Sequence, residues 1–130
     1  MKSLLWSVLL ASGASPGLAQ IPLKDVAAVS EGLIATGMAI RIAERCDSLE
    51  PRTLRGIAYL NSLRQHAREL GYSNDEIDAY IDDKDEERRL IAIAETRLAE
   101  KGAVEGEPET FCAVGRAEKA SGSATGRLLR

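Results

Sequence analysis

Histidine, cysteine and aromatic residues are all scarce in this 130-residue chain. His66 is the single histidine, so a catalytic or structural zinc site of the usual His and Cys kind lacks ligands. Cys46 and Cys112 are the two cysteines. They are too few for an iron–sulfur cluster, and too far apart in sequence for a thioredoxin-like redox pair. Aromatics make up 4% of the residues, so any core must be aliphatic, built of Leu, Ile, Val and Ala. Positive charge is not in excess: 17 basic residues meet 20 acidic ones, for a net charge of -3. That balance speaks against nucleic-acid binding, which asks for a basic stripe. There is no alternating strand pattern, no repeat, no glycine-rich phosphate loop and no Gly-x-Ser-x-Gly elbow.

No apolar run reaches the roughly 20 residues of a membrane span. The run that comes nearest to an address is at the start. Lys2 is followed by the apolar stretch Leu4 to Ala11, then by Pro16-Gly17-Leu18-Ala19. This pattern predicts an export signal over residues 1–19, cleaved after Ala19, with no cysteine behind the cut to carry a lipid. Residues 20–130 are then one helical domain, periplasmic or secreted and without stable membrane insertion. Behind such a signal two cysteines predict a disulfide between Cys46 and Cys112; the plainer alternative is two buried free thiols.

Helical signals fill the rest. Val26 to Cys46 reads as a helix whose apolar residues do not keep to one face, and Gly32 to Ile40 carries no charge. A helix apolar nearly all round is buried on most sides. It is either the central helix of a bundle or a surface for a partner, with Leu33, Ile34 and Met38 as the candidate contact residues. Asp47 or Ser48 ends it, and Pro51 suits the first turn of the next helix. From Pro51 to Leu70 one stripe is spaced at threes and fours: Gly56, Leu60, Leu63, Ala67 and Leu70. Gly71 stops it, with Tyr72 placed to pack back. Ser73 to Glu76 is a capping box that opens a helix bearing Ile77, Tyr80 and Ile81. Whether that helix breaks at Asp82-Asp83 or runs on to Lys101 is left open. Gly102 to Pro108 is a loop, Glu109 to about Ala120 a short last helix, and residues 121–126 are flexible by composition. The fold class expected is all-α, a bundle of four to five helices closed by one long-range disulfide.

Candidate chemistry is thin. The acidic run Asp82 to Glu87 has neither the glycine nor the register of a calcium loop, and suits a solvated helix start. Arg64 and Arg68 share a helix side and read as a solvated face. Carboxylates are plentiful, but nothing selects a pair for acid–base work. No catalytic residue, metal or cofactor is assigned.

The run Phe111 to Glu118, followed by Ser123, Gly126 and Leu128-Leu129-Arg130, resembles a small family of exported bacterial proteins of unknown function, as does the stretch from Gly71 to Tyr80. Some members carry the label NADH dehydrogenase subunit. The resemblance implies no activity, so no catalytic residue carries over. The functional expectation is a non-enzymatic interaction or accessory protein with an unidentified protein partner. An acid-stress periplasmic chaperone is the alternative, and a small enzyme is third.

Overall fold

The structure, a computed structural model, describes residues 20–130. The expected signal over residues 1–19 lies outside them. The described residues form a 3-10 turn at Leu23–Asp25 and six helices: α1 (Ala27–Arg45), α2 (Thr53–Glu69), α3 (Asn74–Asp82), α4 (Lys84–Glu100), α5 (Pro108–Ser121) and α6 (Ala124–Arg127). The all-α class with one long-range disulfide is what the sequence leads one to expect.

α1 is the axis of the bundle, packed on α2, α4, α5 and α6. From Gly32 to Ala39 none of its residues is exposed. Gly32 permits the close approach of α2, whereas Gly37 leaves room for an ordinary contact with α4. A Cβ at Gly32 would stand 2.6 Å from Leu63 Cδ2 on α2, and one at Gly37 would stand 3.5 Å from the Ala94 Cβ on α4. The main core gathers Ile34, Met38 and Ile42 of α1 with Leu98, Phe111, Val114 and Leu129. A second cluster, around Leu23, Val29, Tyr72 and Ile77, seals the other end.

Local signals set most boundaries. Ser73 Oγ accepts from the Glu76 amide at 3.1 Å, the cap read from the sequence. Gly71 takes φ +97°, and the Tyr72 amide returns to the Ala67 carbonyl at 3.1 Å, so the buried Tyr72 packs back onto α2. Asp83 decides the question of one helix or two. Its Oδ1 accepts from the amides of Asp85 and Glu86 at 3.0 and 3.1 Å, which caps α4 and separates it from α3.

Two expectations need correction. α2 does not begin at Pro51. Pro51 pairs with Leu129 in an antiparallel bridge, and the Arg52 amide donates to the Leu128 carbonyl at 2.8 Å, so Pro51 belongs to the bridge and Arg52 is the residue that leads into α2. Residues 121–126 are not a loose segment either. Gly122 closes α5 in the left-handed region, Ser123 caps α6, and the buried Thr125 donates to the Ala35 carbonyl at 3.1 Å. Gly126 lies so close to α5 that a Cβ there would overlap the Glu118 carbonyl.

Candidate functional site

Cys46 and Cys112 are bonded, with Cα atoms 5.2 Å apart at a sequence separation of 66. Both are buried at the turn between α1 and α2, where the bond ties α5 to that corner. No thiol is free among the described residues.

Of the three residues offered as partner surface, Ile34 and Met38 are not available. They are 3% and 4% exposed and belong to the core, because α5, α6 and α4 close over that side of α1. Leu33 is half-buried and points the other way. It floors a groove along α1, one part of which lies between α2 and α3 and the other against α3 and the start of α4. The groove has two continuous parts, of about 420 and 320 Å³, which share Leu33, Tyr80 and Ile81. Its lining is mainly apolar. Ile40 (48%), Leu60 (39%) and Ile81 (53%) stand exposed in it. Ile57 continues the face of Leu60 by one turn and is also exposed. The α2 stripe read from the sequence is therefore only partly core. Ala67 is fully covered, whereas Leu60 and Leu70 face solvent.

A charge cluster closes one edge of the groove. Arg89 grips the Glu86 carboxylate through Nε at 2.9 Å and Nη2 at 2.5 Å, and Tyr80 Oη lies 3.5 Å from Glu86 Oε1. Arg89 holds the Glu86 carboxyl below its usual range. Burial, with the neighbouring carboxylate, pushes the Tyr80 hydroxyl up to about 12. Asp85, four residues before Arg89, pairs with Arg88 instead.

The opposite side of α1 carries a second, ionic cleft of about 590 Å³. Arg97 binds Glu31 through both terminal guanidinium nitrogens, Nη1 and Nη2, at 2.5 and 2.9 Å. Lys101 meets Glu118 at 2.9 Å. Burial raises the Glu118 carboxyl, but the Ser123 hydroxyl and the Lys101 ammonium outweigh it, and the group sits below its usual range. These carboxylates are held charged and already partnered. Among the described residues no three His, Cys, Asp or Glu side chains converge on a metal-sized site, and no helix is long and apolar enough to cross a membrane.

The chain matches the family described as a family of unknown function, DUF5333, over residues 21–130. It belongs to that family. No curated protein and no solved structure matches the chain. The matched span covers every helix described above and both cysteines, so the groove and the disulfide lie within the family's shared region. The spacing of Leu90, Ile91, Ala94 and Leu98 marks an apolar stripe, and Ile40 ends the uncharged run of α1, but nothing in the sequence brings Ile40, Leu90 and Ile91 into one groove. The signal for them was that α1 and α4 carry more apolar side chains than one contact face can cover.

Proposed function

We propose that this member of the family is an exported accessory protein that works by contact, with the groove along α1 as its contact surface. The observation that carries the reading is the groove itself. Large apolar side chains, Ile40, Leu60 and Ile81 among them, stand open to solvent around Leu33. Leaving them exposed forgoes about 25 cal/mol for each Å² of apolar surface, which a bound partner would recover. Export is supported by the buried disulfide, since such bonds persist in oxidising compartments. The periplasm or the exterior is the location this reading requires. A small enzyme fits less well, because the carboxylates of the ionic cleft are bonded to cations and lowered in pKa rather than poised for proton transfer.

The acid-stress reading has one specific support: Glu31, Glu86 and Glu118 would lose their ion pairs on protonation. The apolar groove, however, is already open with those pairs intact, so no acid trigger is needed to expose it. Aggregation suppression that appears only in acid would reverse this preference.

The test is a photo-crosslinking residue placed at Ile40 or Ile81 in cells, with Ala113 on the exposed face of α5 as control. Crosslinks at the groove positions and none at the control support the reading. Equal or absent crosslinking at all three removes it. Intact mass of the exported protein checks in the same sample whether the chain begins at Gln20.

A further inference from the structure

The disulfide lies one side chain below the surface. Cys46 and Cys112 are 0% and 3% exposed. The Ser48 hydroxyl lies across both sulfurs, 3.2 Å from Cys46 Sγ and 3.7 Å from Cys112 Sγ, and Ser48 itself is exposed. Ser48 belongs to the turn that joins α1 to α2. From Asp47 to Arg55 every residue is exposed or half-buried except the buried Leu49. Leu49 seats on the bare face of Gly115, one turn beyond Cys112 on α5, where a Cβ would stand 2.4 Å from Leu49 Cδ1. Among the described residues, the backbone of residues 47–51 bonds outside its own turn at Glu50 alone. The Glu50 amide donates to the Arg130 carbonyl and the Arg130 amide to the Glu50 carbonyl, each at 2.9 Å. Just beyond, the Arg52 amide donates to the Leu128 carbonyl at 2.8 Å. The first residues of α2 add no hold, since Thr53, Leu54 and Arg55 are all exposed.

We propose that residues 47–52 are a lid that opens locally and admits a dithiol to the Cys46–Cys112 bond in the otherwise folded protein, which makes the disulfide a reversible strap. The inference stands apart from the groove and its partner. Lifting the turn breaks the three backbone hydrogen bonds to residues 128–130, the exposed Glu50–Arg130 ion pair and the seat of one leucine. It touches none of the contacts among Ile34, Met38, Leu98 and Phe111 in the main core. A segment held by so few buried contacts opens far more often than the whole domain unfolds. With the turn lifted, Ser48 no longer covers the sulfurs. One thiolate of the dithiol then bonds to one Sγ, the S–S bond breaks, and its electron pair leaves on the other Sγ. The second sulfur of the dithiol, as a thiolate, attacks the mixed disulfide and expels the first Sγ. The dithiol ends as a cyclic disulfide, oxidised by two electrons, and its two protons end on the two cysteines.

The rate of reduction by dithiothreitol, followed by alkylation and mass across a urea series, tests this, with urea unfolding of the oxidised protein as the reference. Two limbs are expected. Below the unfolding transition the rate should hardly depend on urea, because opening the lid exposes little surface; near the transition it should rise steeply with global unfolding. Leu49→Ala removes the seat on Gly115 and should raise the low-urea rate at least about tenfold. Ile77→Ala, in the second core cluster, should leave the low-urea rate unchanged and move the steep limb to lower urea. Arg130→Ala loses an exposed pair and should raise the low-urea rate about two- to fivefold, which keeps the test decisive if Leu49→Ala does not fold. Circular dichroism checks that each variant is folded. A rate that follows global unfolding at every urea concentration overturns the proposal, as does the absence of reduction below the transition. Equal acceleration by Leu49→Ala and Ile77→Ala overturns it too, and so does a low-urea rate that neither Leu49→Ala nor Arg130→Ala raises.

Discussion

Glu50 and Arg130 exchange both backbone hydrogen bonds, each at 2.9 Å, and their side chains pair at 2.9 Å. The result is a clasp between the α1–α2 turn and the C-terminal end of the sequence. Cys46 lies four residues before the clasp on one strand, and its partner Cys112 belongs to α5. Leu49 and Leu129, both buried, pack beneath it. Three devices thus meet at one corner: a covalent bond, a backbone bridge and an apolar seal.

The covalent device should dominate stability. Cys46→Ser or Cys112→Ser opens a loop of 66 positions, which the chain-entropy account values at about 4 kcal/mol. Urea unfolding of the variant, or of the protein under reductant, should show a loss of several kcal/mol. An unchanged midpoint would mean that the corner is held by the bridge and the apolar seal alone.

The apolar seal is tested by Leu129→Ala. Leu129 is 2% exposed, and truncating such a residue costs about 2–5 kcal/mol through lost burial and the cavity left behind. Arg130→Ala, by contrast, removes an exposed ion pair and should cost under about 1 kcal/mol. Chemical denaturation of the two variants side by side checks the ordering.

Groove and core should separate in the same way. Ile42 is 0% exposed and Ile81 is 53% exposed. Ile42→Ala should lower stability by about 2–5 kcal/mol, whereas Ile81→Ser should move it by less than about 1 kcal/mol. A large loss from Ile81→Ser would mean that the groove is part of the monomer's core, and would count against a contact role.

Two glycines should respond unequally to alanine. At Gly126 a Cβ would meet the fixed backbone of Glu118 and Lys119; at Gly32 it would meet the Leu63 side chain and the Tyr59 hydroxyl, which can turn aside. Gly126→Ala should exceed the roughly 1–3 kcal/mol usual for overpacking, and Gly32→Ala should fall within or below it. Melting temperatures in the reverse order would show that α6 can shift on α5.

Acid should destabilise the fold through three carboxylates. Glu31 and Glu86 are held below the ordinary value of 4.5 by Arg97 and Arg89, and Glu118 by Ser123 and Lys101 against its burial. The folded state therefore binds fewer protons than the unfolded one in this range. The stabilisation is fully present above about pH 5 and is lost as pH falls through the lowered folded values. Glu118→Gln should flatten the dependence of unfolding free energy on pH below about 5. An unaltered slope would assign the acid sensitivity to the other carboxylates.

Much of this was legible from residues alone, for an identifiable reason. Helix starts and stops depend on groups a few residues apart. Ser73 reaches the Glu76 amide, Asp83 reaches two amides of α4, and Gly71 lets α2 turn back. Such signals survive without knowledge of the fold. The bond between Cys46 and Cys112 belongs with them, because two cysteines admit one intrachain pairing.

Which face of a helix is covered is a different kind of fact, since it depends on which distant segments arrive. Ile34 and Met38 have the same chemistry as Ile40, and only the packing of α4, α5 and α6 makes the first two core and leaves the third exposed. The polar stretch from Ser121 to Gly126 reads as a flexible linker until Thr125 finds the Ala35 carbonyl 90 positions away. Pro51 reads as a helix start until Leu129 comes to pair with it. Composition and local spacing established an aliphatic, disulfide-closed helical chain. The groove and the corner clasp came from long-range contacts, whose energies no short stretch of sequence contains.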